Sequence, residues 1–137
     1  MDIPVFDRSN YLKGLLITAR KDNQLTEEEK NIIKGISDRL GFAKDFYDEV
    51  IQNLLANKYI KEDPIKFSDP KIAESFLIDA LKLSFSDTSA PTPELDWLRG
   101  VAKVNNIKPD WFEEQSHKVK NSPFITKQTE FALYSII

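Results

Sequence analysis

The sequence predicts an all-α chain: a single-domain bundle of about seven helices, built from two related three-helix units and closed by a C-terminal helix. Three observations predict it. Apolar residues recur at helical spacing along most of the chain, not in strand-like alternation. Four glycines in 137 residues are few for a hairpin-rich or dinucleotide-binding fold. The chain also matches itself when displaced by 65 residues.

Each element follows from its own residues. Tyr11, Leu12, Leu15, Leu16 and Ala19 form one helical stripe, with Ser9 or Asn10 as its cap and an end near Lys21–Asp22. Ile32, Ile33, Ile36 and Leu40 form the next. Thr26 followed by Glu29 has capping-box spacing, and Gly41 suits the left-handed residue that ends a helix. Phe46, Val50, Ile51, Leu54 and Leu55 make a third stripe. Residues 57–68 carry Pro64 and no period, so they read as a connector.

Ser68 or Asp69 then caps a long helix with Pro70 in its first turn. Its stripe is Ile72, Ala73, Phe76, Leu77, Ala80, Leu81 and Leu83. After SDTSAPTPE comes a helix with Leu95, Leu98, Val101 and Ala102. Pro109 opens another with Trp111, Phe112 and Val119, and Pro123 breaks it. The end, ITKQTEFALYSII, reads as a last apolar helix over about 124–137 that docks on the core.

The two repeats span about 9–57 and about 69–120, and displacement by 65 lays Tyr11–Glu49 over Phe76–Glu114 without a gap. Leu12 meets Leu77, Leu16 meets Leu81, Gly35 meets Gly100 and Asp45 meets Asp110. Shared periodicity alone aligns leucines. It does not put Asp22 on Asp87 and Glu29 on Glu94, which also coincide.

Those four acids are the candidate site: Asp22 with Glu29, and Asp87 with Glu94. On one unbroken helix, residues seven apart are about 10.5 Å apart along the axis. That is too far to share an ion bound at about 2.0–2.6 Å. A turn between the two residues brings them together, and Pro91 and Pro93 enforce one in the second copy. A helix N-terminus favours the carboxylate. Oxygen ligands suit Ca²⁺, Mg²⁺ or Mn²⁺. The alternative is structural: Glu29 completes a capping box with Thr26, and Asp22 is a turn residue bonded to nearby backbone. An EF-hand is not supported, because the twelfth loop position counted from Asp22 is Ile33.

An apolar helix, Asp, Glu seven residues on, and an apolar helix ending Leu40-Gly41-Phe42 resemble the TerB-like family of tellurite-resistance-associated helical domains. The resemblance implies two pseudo-symmetric helical repeats and acidic corners that bind a divalent metal, here at Asp22 and Glu29 and at Asp87 and Glu94. The family's corner has Gly after its Asp. Asn23 stands there in the first corner and Thr88 in the second. Asn tolerates left-handed backbone, whereas β-branched Thr does so poorly.

Composition narrows the remaining classes. A net charge of −3 gives no field for nucleic acid or an anionic membrane. No apolar run spans a bilayer, and the start MDIPVFDRSN predicts no secretory signal. With no cysteine, disulfides, thiolate-bound zinc and a cysteine nucleophile are excluded, which fits a reducing, cytoplasmic setting. His117 is the single histidine and anchors no catalytic triad. No phosphate-cradling glycine motif occurs. Trp97 and Trp111 read as helix packing unless exposed. The expectation is a non-enzymatic cytoplasmic module that binds a divalent cation or a basic protein partner at an acidic face. An interaction module whose acids only cap helices is the alternative, and a carboxylate hydrolase the minor one.

Overall fold

The computed structural model describes residues 2–20, 27–56, 62–85, 92–121 and 131–136. Among them are seven helices and no strand: α1 Val5–Arg20, α2 Glu27–Arg39, α3 Lys44–Ala56, α4 Pro70–Ser84, α5 Thr92–Val104, α6 Pro109–Lys120 and α7 Leu133–Ile136. No described helix is long and apolar enough to cross a membrane.

Two helices form the centre, and their sequences show why. In α1 the run Tyr11, Leu12, Leu15, Leu16, Ile17, Thr18 and Ala19 is buried nearly all round, not along one stripe. In α4, Ile72, Ala73, Phe76, Leu77, Ala80, Leu81 and Leu83 are buried likewise. A helix apolar on most sides belongs inside a bundle. Accordingly α1 packs on α4 and also touches α2, α3 and α5, while α4 touches α5, α6 and α7. The outer helices α2, α3, α5 and α6 bury one face each and turn charge outward.

Local chemistry fixes several ends. Asp69, extended at φ −138° and ψ 132°, accepts the Lys71 N–H at 2.7 Å, and Pro70 occupies the first helical position of α4. Pro109 starts α6 in the same way without a side-chain cap. Helix α2 closes on Gly41 at φ +89°. Its N–H bonds the Asp38 carbonyl, and the Phe42 N–H bonds that of Ser37, each at 3.1 Å. Helix α5 closes on Asn106 at φ +58°, with Asn106 N–H on Lys103 at 3.1 Å and Ile107 N–H on Ala102 at 2.9 Å. Both are Schellman ends, in which a left-handed residue lets two late carbonyls find donors.

Three expectations need correction. Helix α1 starts at Val5, ahead of Ser9 and Asn10, because a tertiary contact fixes its first turn: the buried Asp7 carboxylate accepts the Ser68 N–H at 3.0 Å and the Ser68 hydroxyl. In α3, Phe46 is exposed, stacked on Phe42, and Tyr47 is the buried aromatic, its hydroxyl donating to the Lys30 carbonyl at 2.9 Å. The C-terminal helix was expected over 124–137. Among the described residues it runs only from Leu133 to Ile136, preceded by a non-helical Phe131 and a turn at Ala132. The rest of the expected range, 124–130 and 137, lies outside the described residues.

The connector between the halves crosses α5 as an extended strap over residues 62–67. Trp97 donates its indole N–H to the Glu62 carbonyl at 2.7 Å, so this tryptophan packs and is not a free surface. Asn105 accepts the Phe67 N–H at 2.8 Å and donates to the Ile65 carbonyl at 2.7 Å and the Val101 carbonyl at 2.8 Å. A Cβ at Gly100 would lie 3.3 Å from Cγ of Pro64, so the small residue admits the strap.

Candidate functional site

Four carboxylates are buried among the described residues: Asp7, Glu29, Asp79 and Glu94. Three sit in the first turn of a helix, Asp7 in α1, Glu29 in α2 and Glu94 in α5. Exposed N–H groups and the helix dipole favour negative charge there.

Of the four acids predicted from sequence, Glu29 is 2% exposed and Glu94 3% exposed. Each is the third residue of its helix. Asp22 and Asp87 lie outside the described residues. Among the described residues no three His, Cys, Asp or Glu side chains gather into a metal-binding group. The neighbours Glu27 and Asp96 are solvent-exposed and pair with Lys30 and Arg99 on the surface.

Sequence reasoning passed over two of these acids, Asp7 and Asp79, and Asp79 has the more elaborate setting of the two. It sits in the middle of α4, fully buried. The Tyr11 hydroxyl donates to its Oδ2 at 2.5 Å, Ala132 N–H to its Oδ1 at 2.6 Å, and Leu133 N–H to Oδ2 at 3.0 Å. Burial pushes its carboxyl up from the ordinary 3.8 to about 6, against the opposing pull of those three donors and of the Lys82 charge. The Tyr11 phenol is in turn held well above its usual value, first by burial and then by the Asp79 charge. The signal in the sequence was an Asp on the same helical face as Ile72, Phe76 and Leu83. An acid inside an apolar stripe has to be satisfied from another element.

Asp7 and Asp79 spend their oxygens on donors of the fold, which makes them clasps. A shallow groove of about 510 Å³ lies between the start of α1 and the strap, bordered by Phe6, Lys13, Lys66 and Phe67. Neither Glu29 nor Glu94 lines it. Among the described residues, exposed His117 is bonded within α6 and its cap, to Asn121. Comparison with known protein families, characterised proteins and solved structures finds nothing that matches this chain.

Proposed function

We propose that the chain is a non-enzymatic, cytoplasmic binding module made of two copies of one three-helix unit, each copy offering an acidic corner to a divalent cation. The observation that carries it is the pair Glu29 and Glu94: two buried carboxylates, 65 positions apart, each third in its helix.

Several features support the two-unit reading. Helix α2 spans 27–39 and α5 spans 92–104, an offset of 65 at both ends. Helices α1 and α4 begin 65 apart, as do α3 and α6. The left-handed closures, Gly41 and Asn106, also differ by 65. At the central crossing, Tyr11 bonds Asp79 while the ring of Phe76 lies against Gly14. Under the offset Tyr11 corresponds to Phe76 and Gly14 to Asp79. Residue i of one unit thus meets j of the other while j meets i, the signature of a two-fold contact.

Asp22 and Asp87 would supply the second ligand of each corner. The TerB-like resemblance extends this to a role in tellurite or metal stress. The test is calorimetric titration and thermal melting with Ca²⁺, Mg²⁺, Mn²⁺ and Zn²⁺. Binding that is lost in Asp22→Asn/Glu29→Gln supports a cation site. No heat and no melting shift with any of the four leaves the acids as helix caps. The second reading, a protein-interaction module without metal, draws on the groove beside Phe6, which is 71% exposed, and Val5, which is 72% exposed.

A further inference from the structure

Helix α1 turns one face away from the core. Phe6, Asn10 and Lys13 share it at i, i+4 and i+7, and Phe6 is 71% exposed. The strap runs beside this face and closes the groove from the other side. Buried Ile65 and Phe67 form its floor, with Phe6 and Pro64 as apolar walls. Exposed Lys13 and Lys66 line it too, and among the described residues neither makes an ion pair. Asp63 is the acid of the lining. Two lysines against one aspartate leave the groove positive in a chain whose net charge is −3.

The strap also offers backbone. In an extended chain, successive residues direct their N–H and C=O groups to opposite edges. The Ile65 carbonyl and the Phe67 N–H both end on Asn105 of α5. The Ser68 N–H ends on Asp7 of α1, so the other edge faces α1. Lys66 lies on that second edge, beside the groove. Among the described residues its N–H and C=O have no hydrogen-bond partner. An unpaired edge of this kind is a template for another chain.

We propose that this groove receives an extended peptide of a partner protein, one that alternates apolar and acidic residues and adds as a short strand along Lys66. In strand addition the main chain supplies the bonds, and pockets for alternate side chains supply specificity. The apolar side chains lie on Ile65 and Phe67 and against Phe6, which removes from water an aromatic ring that the fold leaves exposed. The acidic side chains meet Lys13 and Lys66, whose charges the fold itself leaves unpaired. Asp63 sets the direction of the peptide, because an acid placed opposite it is repelled. A basic peptide meets the two lysines and is disfavoured on the same ground. The proposal rests on the protein-interaction reading and gives that reading its partner chemistry.

The experiment uses the full chain. Random nonapeptides displayed on phage are selected against it in EDTA, so that cation binding at the acidic corners plays no part. Selected peptides are then measured by fluorescence anisotropy. The expected sequences alternate apolar and acidic residues. Lys13→Glu/Lys66→Glu should weaken their binding about tenfold or more, and Phe6→Ser about fivefold or more. All three side chains are exposed, and thermal melting checks that each variant stays folded. Saturating peptide should slow hydrogen exchange at the Lys66 amide about tenfold and leave the Phe67 amide, already bonded to Asn105, nearly unchanged. Selected peptides that are basic, or whose affinity neither variant lowers, overturn the groove proposal while leaving a protein-interaction module standing. An unaltered Lys66 amide at saturation overturns it as well. If no peptide is enriched, the groove proposal and the interaction reading fall together, and the cation reading is untouched.

Discussion

Replacing Gly14 by alanine tests the central crossing of α1 and α4 directly. In an open helix the exchange is favourable, by roughly 0.5–1 kcal/mol, because alanine loses less backbone freedom on folding. Here the added methyl would lie 2.5 Å from Cε1 and Cζ of Phe76 and 3.3 Å from Cδ1 of Ile65. The Phe76 ring is fully buried, with the Tyr11 ring edge-on at 5.5 Å and the Phe67 ring at 5.2 Å. It has no open side to swing into. Overpacking of this kind costs about 1–3 kcal/mol, which exceeds the propensity gain. The net expectation is a loss of about 1–2 kcal/mol, or roughly 4–8 °C in Tm for a chain of this size. Urea unfolding and calorimetry measure it. The same exchange in a Phe76→Leu background should be neutral or stabilising, with a coupling of about 1–3 kcal/mol. A Gly14→Ala protein that melts higher than the parent, or a coupling below about 0.5 kcal/mol, would refute the packing argument.

Asn105→Ala strands the Phe67 N–H and the Ile65 carbonyl and should lower stability by about 2–4 kcal/mol in urea, whereas exposed Asn121→Ala should stay within about 0.5 kcal/mol. Gly41→Ala forces a side chain into left-handed backbone and should cost about 1–2 kcal/mol, while Asn106→Gly should be close to neutral. The raised Asp79 carboxyl also bears on global unfolding. Its contribution is fully present below about 3.8 and lost as pH rises through about 6, a change of roughly 3 kcal/mol. The difference in unfolding free energy between parent and Asp79→Asn should therefore shift by that amount between pH 4 and 7, and a constant difference would sink the assignment.

What the sequence disclosed was local. The stripes of α1, α2, α4 and α5, the Asp69–Pro70 start, the Pro109 start and the Gly41 end depend on residues within one or two turns, and each can be read from spacing. What it hid depends on partners far along the chain. Phe46 and Tyr47 are adjacent aromatics about 100° apart on a helix, and only the Lys30 carbonyl decides which turns inward. The start of α1 depends on Ser68, 61 residues away from Asp7. The candidate corners show the same division. Spacing picked out Glu29 and Glu94, but their burial is a tertiary fact that no local pattern encodes. Asp79 carried a visible flag, an acid in an apolar stripe, yet its role required knowing that Tyr11 and the Ala132–Leu133 backbone converge on it.

On the two-unit reading, that convergence has an origin in the crossing itself. Positions 14 and 79 correspond, as do 11 and 76, so the crossing contains the same contact twice. One copy is solved with glycine against an unsubstituted aromatic ring, Gly14 beneath Phe76. The other is solved with a carboxylate against a phenol, Asp79 on Tyr11. The two solutions differ in what they leave over. A glycine against a ring has no polar valence remaining. A carboxylate that accepts one phenol keeps lone pairs free for further donors, and in the dry centre of a bundle those must be met. The Ala132 and Leu133 N–H groups meet them. The C-terminal segment therefore docks on the α4 side of a nearly symmetric core, because the departure from symmetry at position 79 is what created acceptors for it.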